Sequence, residues 1–162
     1  MGYLLSQKGG YGSIGFSKHD LYKHFYRAQR DMIKDGDVRV ALSYLEGKAG
    51  NDTMFYSNFQ TTDDGKLKHL FWADGCSRSD FQCFGDILAF DTTYKKNKYN
   101  IPMVIFSSCN HHFQTTIFGC ALLADETTET YKWVLETGLD AMHNKYPRSV
   151  VTDGDGAMRK AI

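Results

Sequence analysis

Phe84-Gly85-Asp86-Ile87-Leu88-Ala89-Phe90-Asp91-Thr92-Thr93-Tyr94 is an apolar run that closes on an acid, and Val150-Val151-Thr152-Asp153 repeats the pattern in shorter form further along the chain. Neighbouring strands lie about 4.8 Å apart. If the two runs are adjacent parallel strands, Asp91 and Asp153 stand at matching C-terminal ends, where they could bridge one divalent cation or flank two about 4 Å apart. Mg²⁺ or Mn²⁺ in such a place would activate an attacking oxygen and stabilise a leaving one, and only anionic oxygen ligands could hold it. An acid at a strand end is also common, and Thr152-Asp153-Gly154-Asp155-Gly156 doubles as a turn and helix-cap sequence. Spacing alone leaves both meanings open.

The segments between the acids argue for the parallel arrangement. Ile87 to Thr93, Met103 to Ser108 and Thr116 to Ala124 have strand composition, and the polar stretches Tyr94 to Asn100 and Cys109 to Gln114 are compatible with hairpin turns. Three strands so connected form an antiparallel meander. Asp125 to Glu129 supply acidic caps for a helix whose Tyr131, Val134, Leu135, Leu139 and Met142 share a face, ending near Asn144. Ser149 to Thr152 is then a short buried strand, and Gly154 to Ile162 the first turns of another helix. A helix crossover returns the fourth strand parallel to an earlier one with right-handed connection, and the first strand is the natural partner.

Upstream, Gly2, Gly9, Gly10, Gly12 and Gly15 make residues 1–15 a flexible leader; Gly9-Gly10-Tyr11-Gly12 has neither the Lys-Ser/Thr nor the preceding strand of a phosphate loop. Ser17 with Asp20 caps a helix stapled by Phe16 and Leu21, with Leu21, Phe25, Ala28 and Met32 on one face. Val38, Ala41, Leu42 and Leu45 form a second amphipathic stripe, capped by Asp37 and fading at Gly47 to Gly50. It lacks the Arg, Asn and Gln of a base-reading helix and is expected to pack. Thr53 to Gln60 and Lys66 to Ala73 flank Thr62-Asp63-Asp64-Gly65, a hairpin. Ser77 to Phe84 is a short connecting helix or turn, with Phe71 and Trp72 as core anchors.

Composition narrows the function. At 162 residues, 42% hydrophobic and with two prolines, the chain can bury one core and is neither disordered nor low in complexity. Neither a bilayer-spanning apolar run nor a signal peptide is present, so a soluble, intracellular chain is expected. Nineteen basic and nineteen acidic side chains cancel, which leaves only local contacts to nucleic acid. Cys76, Cys83, Cys109 and Cys120 are too irregularly spaced for a zinc ribbon and read as free core thiols. Lys95, Lys96 and Lys98 are candidates for phosphate contact or for a solvated turn. Adjacent His111 and His112 would point to opposite sides of a strand, so a turn role is favoured over metal binding. Asp155 is read as a cap, and Asp86 lies at the wrong strand end.

These residues carry a resemblance. Leu70-Phe71-Trp72-Ala73-Asp74, Ser77-Arg78, Phe84-Gly85-Asp86, Phe90-Asp91-Thr92-Thr93-Tyr94, Asn97-Lys98-Tyr99-Asn100-Ile101-Pro102, Asn110-His111-His112, Phe118-Gly119-Cys120-Ala121-Leu122, Asp125-Glu126-Thr127 and Thr152-Asp153-Gly154-Asp155-Gly156-Ala157-Met158 are together similar to the far-red-impaired-response family of plants, which derives from Mutator-like (MULE) transposases. The likeness runs from about Phe16 to the end. It implies an α/β, ribonuclease-H-like core over 84–162, preceded by helices and a hairpin over 16–83. It implies too that Asp91 and Asp153 correspond to the first two acids of an Asp-Asp-Glu transposase, with the third acid and the family's zinc-binding parts outside these residues. The expectations are a fragment or truncated gene product that does not itself cut DNA, a nuclear location, DNA met through other regions, nuclear regulators or family members as partners, no membrane, and self-association.

Overall fold

The computed structural model describes residues 36–93 and 101–162, and Val38–Ile162 form one compact unit. The leader, the helix expected from Ser17 and the segment holding Lys95, Lys96 and Lys98 lie outside the described residues. The elements are α1 (Gly36–Asn51), β1 (Tyr56–Thr61), β2 (Leu67–Ala73), α2 (Gly75–Phe84), β3 (Ile87–Thr93), β4 (Met103–Cys109), β5 (Thr115–Leu123), α3 (Thr128–Ala141), β6 (Ser149–Val151) and α4 (Gly156–Ala161). They form a mixed α/β structure around one six-stranded sheet, in the order β1-β2-β5-β4-β3-β6.

The expected meander is present, with β3 antiparallel to β4 and β4 to β5. After α3 the chain returns as β6, parallel to β3 in the register Ile87↔Ser149, Leu88↔Val150 and Ala89↔Val151. The hairpin β1–β2 turns at Gly65, whose φ is +77°. An L side chain there costs roughly 1–2 kcal/mol, so Gly65→Ala should lower the denaturation midpoint measurably; an unchanged midpoint would mean the turn relaxes freely. The hairpin does not form a sheet of its own: β2 pairs with β5 through His69↔Leu123 and Phe71↔Ala121 and so extends the meander.

Strand alternation puts the core on one side. His69, Phe71, Ala73, Leu88, Phe90, Val104, Phe106, Ala121 and Leu123 are all buried. α3 lies against this side through Tyr131, whose ring meets Phe90 edge-on at 5.7 Å, and through Gly138, which faces Phe106. α2 adds Phe81, edge-on to Phe118 at 5.0 Å. Phe71 is an anchor as expected; Trp72, on the opposite side of its strand, is only half-buried.

Several boundaries and environments differ from expectation. α1 continues through Gly47 and Gly50 to Asn51, whose side-chain amide donates to Gly47 O at 2.9 Å, so this contact and the helical ladder outweigh the cost of two glycines. α3 is capped by Thr127 rather than by an acid: its side chain accepts from Thr130 N–H, and the helix ends at Ala141, where His143 and Asn144 both have φ of 56°. β6 is not buried. It is an outer strand with Val151 56% exposed, because among the described residues only β3 flanks it. The cysteines are free, but Cys76, Cys83 and Cys109 are exposed: Gly75, Arg78 and Phe81 turn inward from α2, which places Cys76 and Cys83 on its outer side, and Cys109 ends its strand.

Candidate functional site

The parallel register decides where the two acids go. Ala89 pairs with Val151, and Asp91 and Asp153 each follow two residues later, at the same C-terminal end of adjacent strands. Asp91 sits opposite Ile105 of β4 and is exposed; Asp153 is also exposed, just past the end of β6. Alternation puts Asp91 on the side of the sheet away from Phe90 and α3. Beyond Asp153, Gly154 takes a φ of +86°, and Asp153 Oδ1 accepts from Asp155 N–H at 3.0 Å. Asp155 is the expected cap, accepting from Ala157 N–H at 2.8 Å and Met158 N–H at 3.0 Å.

A third acid, not singled out from sequence, belongs to the same corner. Burial raises the carboxyl pKa of Glu126; a hydrogen bond from Tyr131 opposes that shift, and the charges of Asp155 and Asp153 add to it. Tyr131 donates to Glu126 Oε1 at 3.4 Å, and its hydroxyl lies 3.2 Å from Thr92 Oγ1. Buried at 1% exposure, the Tyr131 phenol is pushed up to about 12, first by burial. One tyrosine therefore connects the strand that carries Asp91 with the loop that faces Asp153. The only sequence signal for it was the position of Tyr131 on the apolar face of α3, which gives no hint of its hydroxyl.

As a metal site the arrangement is a pair of carboxylates. Among the described residues no three His, Cys, Asp or Glu side chains are grouped so as to hold an ion. The oxygen-only donors of Asp91 and Asp153 suit Mg²⁺ or Mn²⁺ and leave most of its coordination to other ligands. Asp86 is elsewhere, paired with Lys145 and Arg148 at the opposite end of β3. Asn110-His111-His112 is the β4–β5 turn, where Asn110 Oδ1 accepts from His112 and Gln114 N–H and His111 meets Phe84 edge-on.

The mixed α/β fold can be set beside the comparisons to known proteins. Residues 87–162, which span β3 through α4, match the MULE transposase domain. The chain belongs to the far-red-impaired-response family. It is 35% identical over 162 residues, the whole of this chain, to Protein FAR1-RELATED SEQUENCE 5 of Arabidopsis thaliana, covering 20% of that relative. It is 36% identical over 157 residues to Protein FAR-RED IMPAIRED RESPONSE 1 of the same plant, with 96% of this chain and 19% of the relative aligned. The chain thus spans about a fifth of the length of these curated relatives. No solved structure matches it. No helix among the described residues is long and apolar enough to cross a membrane.

Proposed function

We propose that this chain is the transposase-derived domain of a nuclear transcription regulator, in which an ancestral ribonuclease-H-like core serves as scaffold and interaction surface. The observation that carries the proposal is the β5-β4-β3-β6 strand order with the α3 crossover, in a chain that belongs to the far-red-impaired-response family. Asp91 and Asp153 mark the ancestral metal positions, and Mg²⁺ or Mn²⁺ held there would supply charge stabilisation for phosphoryl transfer. DNA and other nuclear regulators or family members are the proposed partners, with zinc bound by other regions of such proteins. Lys95, Lys96 and Lys98 are assigned to phosphate contact, where substituting all three should reduce the salt dependence of DNA binding.

An active Asp-Asp-Glu transposase is the alternative, favoured by the common register of the two acids. Incubation with Mn²⁺ and terminal-repeat DNA of this chain joined to the downstream region expected to carry the third acid separates the two. A scaffold leaves the DNA intact; metal-dependent cleavage abolished by Asp91→Asn would overturn it. Isothermal titration with Mn²⁺ tests the site by itself: saturable heat weakened at least tenfold in Asp153→Ala is expected, and identical weak heats in both proteins would remove the metal assignment.

A further inference from the structure

His69 is a polar group in an apolar place. It lies on the inner side of β2 between the positions of Leu67 and Phe71, opposite Leu123 of β5, and is 1% exposed. An imidazole so enclosed must find partners for both nitrogens. Ala124 N–H donates to Nδ1 at 3.3 Å, which makes Nδ1 the unprotonated nitrogen. The proton is then on Nε2, 3.5 Å from Thr130 Oγ1, and Thr130 in turn donates to Asp125 Oδ1 at 2.5 Å. The indole of Trp133 covers the ring at 5.2 Å. A directed chain therefore runs from Ala124 N–H through His69 and Thr130 to the Asp125 carboxylate, joining β2, the end of β5 and the first turn of α3.

We propose that His69, Thr130 and Asp125 form a proton-sensitive latch that holds the β2–β5 pair to the start of α3 and releases on acidification. A second proton on the ring would have to sit on Nδ1, facing the Ala124 N–H: two donors would oppose each other and the bond from that amide to the ring would break. Two charges act on the ring. Asp125, from the loop before α3, favours protonation but reaches it only through Thr130, and Lys68, the neighbour in β2, disfavours it. Gln60 of β1 and Leu123 of β5, paired with His69, carry no charge. Burial, the largest influence, acts with Lys68 against Asp125 and lowers the pKa of His69.

The sign follows from linkage. A histidine whose pKa is lower in the closed state contributes stability that is fully present above the open-state value of about 6.5 and declines as pH falls below it. Asp125 is also held low: burial pushes it up, but hydrogen bonds from Thr130 and Thr127 prevail. Its contribution is lost only near or below about pH 3.9, outside the range from pH 7.5 to 5.5 over which the histidine is tested. The released corner includes Glu126, the acid that faces Asp153 and Asp155.

Amide hydrogen exchange with NMR detection on the whole chain tests the latch. Between pH 7.5 and 5.5 the protection of the Ala124 amide should fall about tenfold per pH unit below 6.5, after correction for intrinsic exchange, while Phe106 in β4 keeps its protection. In His69→Gln, whose amide oxygen can accept from Ala124 but does not titrate, Ala124 should be insensitive to pH over that range. Imidazole nitrogen shifts of the unaltered chain give a reading that needs no variant: the proton should be on Nε2 at pH 7.5, and the ring should titrate in step with Ala124 exchange. A proton on Nδ1, a flat Ala124 profile, the same fall in His69→Gln, or an equal fall at Phe106 would each overturn the proposal.

Discussion

Substituting Phe106 by alanine is expected to remove about 3–5 kcal/mol of stability, a large part of what a domain of this size possesses. Phe106 is 4% exposed at the centre of the sheet, with ring neighbours Phe71 at 5.7 Å and Phe90 at 5.3 Å. Its edge also defines what α3 can carry. A β-carbon at Gly138 would stand 2.2 Å from Phe106 Cε2, closer than any packing permits. In an exposed helix Gly→Ala gains about 0.5–1 kcal/mol; here the sign reverses, and overpacking should cost about 1–3 kcal/mol. The two positions share one space, so their effects should not add: Gly138→Ala in a Phe106→Leu background should be near neutral. Urea unfolding of the single and double variants measures this, and strict additivity would show that α3 shifts away to accept the methyl group.

The second large effect is expected at Arg78. This arginine is 9% exposed; its Nε donates to Ala141 O at 2.6 Å, one terminal nitrogen donates to Met54 O, and the other is 2.8 Å from His143 Nε2. The guanidinium also lies 5.9 Å from the centre of the Tyr56 ring, and Tyr56 donates to Asp140 at 2.7 Å. One side chain thus joins the entry to β1, the start of α2 and the last turn of α3. Arg78→Met keeps the stem but leaves the buried Ala141 carbonyl, and the part-buried Met54 carbonyl, without this donor, at about 1–3 kcal/mol for the buried group and less for the other, so a loss of about 2–3 kcal/mol is expected. Lysine should recover only part of it, because a single ammonium cannot reproduce the fork of donors. A loss below about 0.5 kcal/mol, typical of a surface residue, would show that water replaces the guanidinium without cost.

Why was the centre of the sheet readable while its edges were not? β3, β4 and β5 announce themselves through apolar, β-branched runs broken by turns, and the handedness of crossovers leaves few places for β6. Asp91 and Asp153 follow from that arrangement. The pairing of β2 with β5 has no local signature, since either edge of a hairpin offers the same unpaired backbone groups. The outward turn of Cys76 and Cys83 is set by which side of α2 meets Phe118, a tertiary fact. In Asp125-Glu126-Thr127-Thr128 three residue types can begin a helix, and Thr127 serves as cap because Asp125 is engaged by Thr130. Glu126, Tyr131 and Thr92 meet only because of the height at which α3 crosses β3. Arg78, one basic residue in a short helix, gave no sign of its burial.

The parallel join of β3 and β6 has a kinetic meaning. It involves three residue pairs between segments far apart in the chain, whereas the antiparallel ladders of the meander are longer and join segments closer together in sequence. Non-local pairing is slow to form, and a short outer strand with exposed side chains is among the first parts to open. Asp91 therefore stands on a strand held by the longer meander ladder, and Asp153 just past a strand held by three pairs. Partners that grip the β6 margin would raise the fraction of time the two carboxylates spend side by side, so occupancy of that margin would govern the lifetime of the acid pair.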